Sequence, residues 1–189
     1  MEKRAIITIA GAIGSGKSST AKAIASKLGY QHFSSGDLFR AIAKERDISV
    51  EEMNRQAEKE AEIDHAVDER LQQLYANETD LIIDSRLAYH WMPNSFKVYL
   101  SLDPQVAATR IYNHIQREGR VSQTAESVAQ VLEKTLSRQE GERARYQSLY
   151  GVDVTDRTPF NLVIDTSVHG LDEVVHTVID SYRAWQETA

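Results

Sequence analysis

Eight residues near the start of the chain, GAIGSGKS at positions 11–18, match the pattern G-x-x-x-x-G-K-[ST] at every required position. An apolar run at residues 5–10 precedes them and predicts a buried strand, and a helical stripe that ends at Leu28 follows them. In this context, glycines let consecutive backbone N–H groups turn toward an anion, and the new helix adds the positive end of its dipole. The pattern therefore predicts a phosphate loop that binds a nucleotide.

Two side chains of this phosphate loop (residues 11–18) have expected roles of their own. Lys17 would reach the β and γ oxygens of a triphosphate, and Ser18 would supply a ligand to Mg²⁺. The residues predicted to bind the nucleotide here are Gly11, Ala12, Ile13, Gly14, Ser15, Gly16, Lys17, Ser18 and Ser19.

The composition limits what else the chain could be. Its 189 residues predict a single domain, and no apolar run approaches the length of a membrane helix or of a secretory signal. A net charge of −6 argues against a nucleic-acid partner, and the lack of cysteine excludes disulfides and thiolate chemistry. We therefore expect a cytoplasmic monomer that binds small molecules and has no membrane partner.

Strands and helices alternate along the rest of the chain. Apolar runs at residues 30–33, 80–84, 96–102 and 161–165 predict four more strands, with three helices between the second and the third. Asp64 and Asp103 are predicted helix N-caps. Nearly unbroken apolar strands are typical of a parallel sheet covered on both faces, so we predict an α/β fold with three layers, α/β/α, around a five-stranded parallel sheet. Ligands bind such sheets at the carboxyl ends of the strands.

A phosphate loop alone does not distinguish a GTPase, a motor ATPase and a small-molecule kinase. The sequence contains no N-K-x-D, and no D-x-x-G follows the third strand, which argues against a GTPase. Arginines stand in three further segments, at Arg40, at Arg86, and at Arg138 and Arg145. Arg138, Glu142 and Arg145 share one stripe of a predicted helix, where ordinary surface ion pairs would give the same spacing. Guanidinium groups also suit the binding of a second phosphate.

Taken together, these motifs resemble the compact, archaeal-type cytidylate kinases of the nucleoside monophosphate kinase superfamily, a group of P-loop kinases. The likeness runs from about residue 5 to about residue 182. It is carried by SSGDLFR at 34–40, DSRLA at 84–88, R-x-E-x-E-x-x-R-Y at 138–146, LYGVD at 149–153 and NLVIDTS at 161–167.

The resemblance implies transfer of the γ-phosphoryl group of Mg·ATP to CMP or dCMP. It also implies a helical segment that binds the nucleoside monophosphate (NMP) at residues 34–76 and a short lid at about 110–145. Asp84 would hold a metal-bound water. Arg40 and Arg86 would bind the acceptor phosphate, and Arg138 and Arg145 would reach it or the γ-phosphate. The other residues implied at the acceptor site are Ser35, Gly36, Asp37 and Glu142.

The lid carries the remaining implied roles. Arg117 and Arg120 flank Gly119, where the lid would hinge, and would close over the donor, while Arg110 would stack on adenine. The implied catalytic residues are Lys17, Arg117, Arg138 and Arg145.

Other functions remain compatible with the motifs. The acceptor could be AMP, UMP, or a metabolite such as shikimate or dephospho-coenzyme A, or the chain could be a regulatory protein that binds ATP and phosphorylates nothing. Residues 89–92, YHWM, replace the glycine-containing turn usual in the resembled family, near where an acceptor base would sit.

Overall fold

The computed structural model describes residues 3–57, 60–118 and 127–188. Within these ranges the chain forms five strands and eight helices. The strands are β1 (Ile6–Gly11), β2 (Gln31–Ser34), β3 (Leu81–Asp84), β4 (Phe96–Ser101) and β5 (Leu162–Asp165). The helices are α1 (Lys17–Leu28), α2 (Ser35–Glu45), α3 (Val50–Ala57), α4 (Ala61–Asn77), α5 (Ala88–Trp91), α6 (Pro104–Glu118), α7 (Val128–Tyr150) and α8 (Leu171–Glu187).

The described strands pair in parallel in the order β2-β3-β1-β4-β5. Ile9 of the central strand β1 lies opposite Asp84 of β3 and Val98 of β4. Because all strands point the same way, the phosphate loop after β1, the start of α2 after β2, and Asp84 at the end of β3 meet at one edge of the sheet. The predicted five-stranded parallel sheet is confirmed.

Apolar side chains cover both faces of this sheet. On one face, Ile7 and Ile9 of β1 pack in a cluster with Ile24 of α1 and Val178 of α8. On the other face, Ile6 packs in a cluster with α4 and α5. Each fully buried aliphatic side chain contributes roughly 1.5–3 kcal/mol to folding, so these two clusters hold the helices to the sheet. The three-layer α/β/α arrangement is confirmed.

Two further groups of helices have small cores of their own, and α4 contributes both to the first of these and to the cluster under the sheet. Ala43 of α2, Met53 of α3 and Ile63 of α4 form one buried cluster. Ala108 of α6 and Val131 of α7 belong to another. In these two small cores, helices pack against one another and not against the strands.

The two predicted N-caps have different outcomes. Asp103 does cap α6, because its Oδ1 accepts hydrogen bonds from the backbone N–H groups of Gln105 (2.9 Å) and Val106 (3.0 Å). The prediction for Asp64 is wrong, because α4 begins at Ala61 and places Asp64 inside its first turn, where the side chain is buried.

No helix in the described ranges combines the length and the apolar character needed to cross a membrane.

Candidate active site at the carboxyl edge of the sheet

The phosphate loop links β1 to α1 through glycines with positive φ. Gly11, Gly14 and Gly16 have φ values of 149°, 80° and 84°. A Cβ on Gly11 would lie 2.3 Å from the carbonyl oxygen of Leu100 in β4, so a side chain at this position would force the strands apart. The loop can therefore keep this path only with glycine at its first position.

Lys17 folds back over the loop that precedes it. Its Nζ donates hydrogen bonds to the carbonyl oxygens of Gly11 (2.9 Å) and Ala12 (2.7 Å). Burial, with a smaller contribution from the Arg86 guanidinium, lowers the pKa of Lys17 to about 7. A phosphate bound beside Lys17 would raise that pKa, since a nearby opposite charge favours the charged form.

Asp84 lies buried at the end of β3, beside the start of α1. Its Oδ2 is 3.6 Å from His32 Nε2 and has no aligned hydrogen-bond partner in the described part of the chain. Burial alone would raise the pKa of Asp84, but interactions with His32, Ser18 and Ser34 outweigh it and hold the pKa below its ordinary value. An ionised carboxylate next to a serine hydroxyl is a donor set that suits Mg²⁺. No cluster of three or more His, Asp and Glu side chains capable of holding a metal occurs in the described ranges, so an ion here would need further oxygen ligands.

Glu142 of α7 joins two of the predicted arginines. Its Oε2 lies 2.8 Å from Arg86 Nε and its Oε1 lies 2.9 Å from Arg138 Nε. Glu142 is only 4% exposed, so water screens these ion pairs weakly. The carboxylate therefore holds two guanidinium groups next to each other. One belongs to Arg86 in the loop after β3, and the other belongs to Arg138 in α7.

Arg145 forms a second buried ion pair, with Asp64 of α4. The Nε–Oδ2 distance is 2.9 Å, and the two residues are 7% and 6% exposed. Neither atom is aligned for a hydrogen bond with any described group. Burial raises the pKa of Asp64 to about 6, against the opposing effect of the Arg145 charge.

One turn along α4, Asp68 connects three helices. Its Oδ1 accepts a hydrogen bond from Trp91 Nε1 of α5 (2.9 Å), and its Oδ2 accepts one from the Tyr150 hydroxyl at the end of α7. Burial raises the pKa of Asp68, and both hydrogen bonds oppose this shift. Neither Asp64 nor Asp68 is among the site residues predicted from the sequence. A signal was available, because both acids lie on the same helical stripe as the buried Leu71.

These side chains surround a cavity of about 70 Å³ between α2, α3, α4 and α7, hereafter the acceptor cavity. A larger cleft of about 580 Å³ beside it reaches Ile13 of the phosphate loop, and Arg138, Glu142 and Arg145 line both spaces. The predicted site residues that line the acceptor cavity are Ser35, Gly36, Arg40, Arg86, Arg138, Glu142 and Arg145. The two anion-binding regions therefore open onto one another.

Other predicted residues lie at the edges of the site. Asp37 forms a surface ion pair with Arg40 at 2.5 Å, with both side chains more than half exposed. Arg110 donates a hydrogen bond to the carbonyl oxygen of Thr166 (2.7 Å) and so ties α6 to the segment after β5. Arg117 is exposed near the end of α6. Arg120 and Gly119 lie outside the described residues, so their roles stay predictions.

Residues 89–92 contribute to the acceptor side mainly through Trp91. Tyr89 packs against Phe160, with 4.6 Å between ring centroids, and lines a different cavity of about 490 Å³. Met92 is fully buried in the core under the sheet. Trp91 reaches the acceptor cavity only indirectly, through its hydrogen bond to Asp68.

Comparison with known sequences shows similarity to cytidylate kinases. A model of the cytidylate kinase-like family matches residues 6–168. A cytidylate kinase from Halobacterium salinarum is 35% identical over 184 residues, which cover 96% of this chain and 91% of that protein. A cytidylate kinase from Aeropyrum pernix is 35% identical over 175 residues, which cover 93% of this chain and 97% of that protein.

Solved structures with similar folds are more distant in sequence. Shikimate kinase from Bacteroides thetaiotaomicron superposes with a TM-score of 0.62 at 15% identity, covering 96% of this chain and 98% of that one. A gluconokinase from Sinorhizobium meliloti gives a TM-score of 0.60 at 16% identity, covering 99% of this chain and 96% of that one. At these identities the likeness shows the fold alone, and it agrees with the predicted P-loop α/β fold.

Proposed function

Because the chain belongs to the cytidylate kinase-like family, we propose that it transfers the γ-phosphoryl group of ATP to CMP or dCMP, forming CDP or dCDP. The observation that carries this proposal is the pair of anion-binding regions at one edge of the sheet. One is the phosphate loop with Lys17, and the other is the arginine group held by Glu142. Two phosphates bound there would face each other across a shared cleft.

The residues of the phosphate loop and Ser19 would hold the donor phosphates, and Arg110 and Arg117 of α6 would bind the donor from the other side. Arg40 and Arg86 would hold the acceptor phosphate, supported by Ser35, Gly36 and Asp37. Arg138 and Arg145 would neutralise charge on the phosphate in transit, with Glu142 keeping Arg138 in place. Guanidinium groups suit this work because they bind phosphate oxygens with two parallel hydrogen bonds.

The oxygens of Ser18 and Asp84 fit Mg²⁺, the ion expected with ATP. When bound, Mg²⁺ would neutralise charge on the donor phosphate oxygens. The buried Oδ2 of Asp84, which lacks an aligned partner in the described residues, is the observation that supports this assignment.

The reaction needs no general base, because the acceptor oxygen already belongs to a phosphate anion. The work of the protein is to bring two anions into line and to stabilise the charge that spreads over the transferring group. The two ion pairs of the buried Glu142 would support this work, because a preorganised guanidinium does not have to move when the charge develops.

A panel of acceptors tests the proposal. Purified protein would be supplied with Mg·ATP and with CMP, dCMP, UMP, AMP, shikimate or dephospho-coenzyme A, and ADP release would be measured by a coupled assay. We expect the highest kcat/KM with CMP or dCMP. A higher kcat/KM with another acceptor would reassign the substrate, and tight ATP binding without turnover on any acceptor would support a regulatory protein. A Lys17→Ala variant serves as the control for contaminating kinases.

We also propose that the protein works as a cytoplasmic monomer without a nucleic-acid partner. The net charge of −6 supports this, because nucleic-acid-binding surfaces are usually basic. Size-exclusion chromatography with light scattering would test the oligomeric state against the mass of 21.3 kDa.

A further inference from the structure

Asp64 is a buried carboxylate in the wall of the acceptor cavity, and its Oδ2 accepts no aligned hydrogen bond from the described residues. It is 6% exposed and lines the cavity. Its Oδ2 lies near Arg145 Nε without the alignment of a hydrogen bond, and it has no other hydrogen-bond partner in the described part of the chain. A buried acceptor that lacks an aligned donor costs stability and calls for an explanation, and in the wall of a cavity a donor on a bound ligand is one.

The charged side chains differ between the two ends of the cavity. At the end near the phosphate loop, Arg86 and Arg138 are close enough to Lys17 to influence its ionisation, as is Glu142, which pairs with both arginines. At the far end, Asp64 interacts mainly with Arg145, Asp68 and Glu142. A bound nucleoside monophosphate has a complementary arrangement, with an anionic phosphate at one end and a neutral base at the other. The arginine end suits the phosphate, and the aspartate end is left for the base.

We propose that Asp64 accepts a hydrogen bond from the 4-amino group of cytosine and thereby selects CMP over UMP. Cytosine presents an N–H donor at this position, whereas uracil presents a carbonyl oxygen. An ionised carboxylate can only accept hydrogen bonds, so it pairs with the amino group and repels the carbonyl oxygen. This inference rests on the proposed function and adds the residue that recognises the base.

Asp68, one helical turn away, does not share this role. Both of its oxygens already accept hydrogen bonds from side chains of the protein, from Trp91 and from Tyr150. It is therefore a matched control, because it is the same residue type on the same helix and lines the same cavity. A second alternative is that Asp64 only positions Arg145. In that case its loss would weaken the binding of CMP and UMP equally.

The experiment compares kcat/KM for CMP and for UMP in the wild type, in Asp64→Asn and in Asp68→Asn. We expect the CMP-to-UMP ratio of kcat/KM to fall about 10- to 100-fold in Asp64→Asn, which is the usual effect of losing a hydrogen bond to a charged group. We expect the ratio to stay within about threefold of wild type in Asp68→Asn. An unchanged ratio in Asp64→Asn, or an equal loss with both acceptors, would overturn the proposal.

A measurement on the wild type keeps the proposal testable if Asp64→Asn does not fold. The acceptor is CMP without its 4-amino group, the 2-pyrimidinone ribonucleotide, which keeps the ring, the sugar and the phosphate. We expect its kcat/KM to be about 10- to 100-fold below that of CMP. Equal kcat/KM values for the two nucleotides would show that the protein does not recognise the amino group.

The outcomes also separate this proposal from the proposed function. A wild-type protein without activity on CMP would overturn both. A wild-type protein that is active on CMP, together with an Asp64→Asn variant of unchanged preference, would overturn only the role of Asp64.

Discussion

The phosphate loop and the acceptor cavity bind anions by different means. The phosphate loop takes its shape from the main chain, because Gly11 lets β1 approach Leu100 closely and Lys17 bonds to two carbonyl oxygens of the loop itself. The acceptor cavity takes its shape from ion pairs between side chains of distant segments, such as Arg86 with Glu142. The first region depends on local geometry, and the second depends on the whole fold being in place.

This difference predicts which property of the protein a mutation in each region should change. In the phosphate loop, one side chain supplies the charge, so its loss should lower turnover strongly and leave folding intact. In the acceptor cavity, charges are shared among several residues, so changes to its buried members should alter stability and substrate binding together.

The largest expected effect is on turnover in Lys17→Ala. We expect kcat to fall by about 10²- to 10³-fold, because a positioned charge on the transferring phosphoryl group is lost. The melting temperature should change little, since in the described part of the chain Lys17 Nζ donates its hydrogen bonds to carbonyl oxygens of its own loop. Coupled ADP release and thermal unfolding would measure the two quantities. A well-folded variant with near-normal turnover would contradict the proposed role of the loop.

Gly11→Ala should give the next largest effect, this time on stability. The new Cβ would overlap the Leu100 carbonyl oxygen at 2.3 Å, and the residue would have to keep a φ of 149°. We expect a loss of about 3 kcal/mol or more in the free energy of unfolding, measured by urea denaturation. Gly170→Ala is the matched control, because a Cβ there would meet nothing within 4 Å and the φ of Gly170 is −76°. Equal losses in the two variants would show that close strand approach is not the cause.

Glu142→Gln tests the ion pairs of the acceptor cavity, with a smaller expected effect on the free energy of unfolding. The change removes the negative charge of the buried partner of Arg86 and Arg138, so we expect a loss of about 1–3 kcal/mol in the free energy of unfolding. Glu140→Gln, on an exposed position of the same helix, should stay within about 0.5 kcal/mol of wild type. If the two variants are equally stable, the Glu142 ion pairs contribute nothing to folding.

Arg40→Ala should have the smallest effect on stability. Its ion pair with Asp37 is more than half exposed, and such pairs contribute about 0–1 kcal/mol. We therefore expect a free energy of unfolding within about 0.5 kcal/mol of wild type, while the KM for CMP rises because a cation of the acceptor cavity is lost. A KM equal to that of wild type would remove Arg40 from the proposed acceptor site.

The same contrast explains how much the sequence could predict. Fixed offsets between Gly11, Gly16 and Lys17 encode the phosphate loop within eight residues, so it was predicted together with the strand and the helix around it. The parallel arrangement of the sheet also follows from the alternation of apolar strands with helical segments, whereas the order of the strands was not predicted. These features depend on neighbours in the chain, which a pattern can represent.

The pairing of Asp64 with Arg145 could not be predicted in this way. The two residues are 81 positions apart, and only the packing of α4 against α7 brings them to 2.9 Å. Local reasoning assigned Asp64 to a helix N-cap, because an aspartate near a helix start favours that role. The stripe it shares with Leu71 indicated burial, but burial alone does not name a partner.

The hydrogen bond between Trp91 and Asp68 also makes the molecule suitable for optical measurements. The chain has two tryptophans, and the other, Trp185, packs against Phe96 on the opposite face of the sheet. Light emitted by Trp91 should therefore respond to changes around α4, while Trp185 supplies a steady background. A Trp185→Phe variant would carry a single fluorophore beside the acceptor cavity, and nucleotide titrations could follow it without any added label.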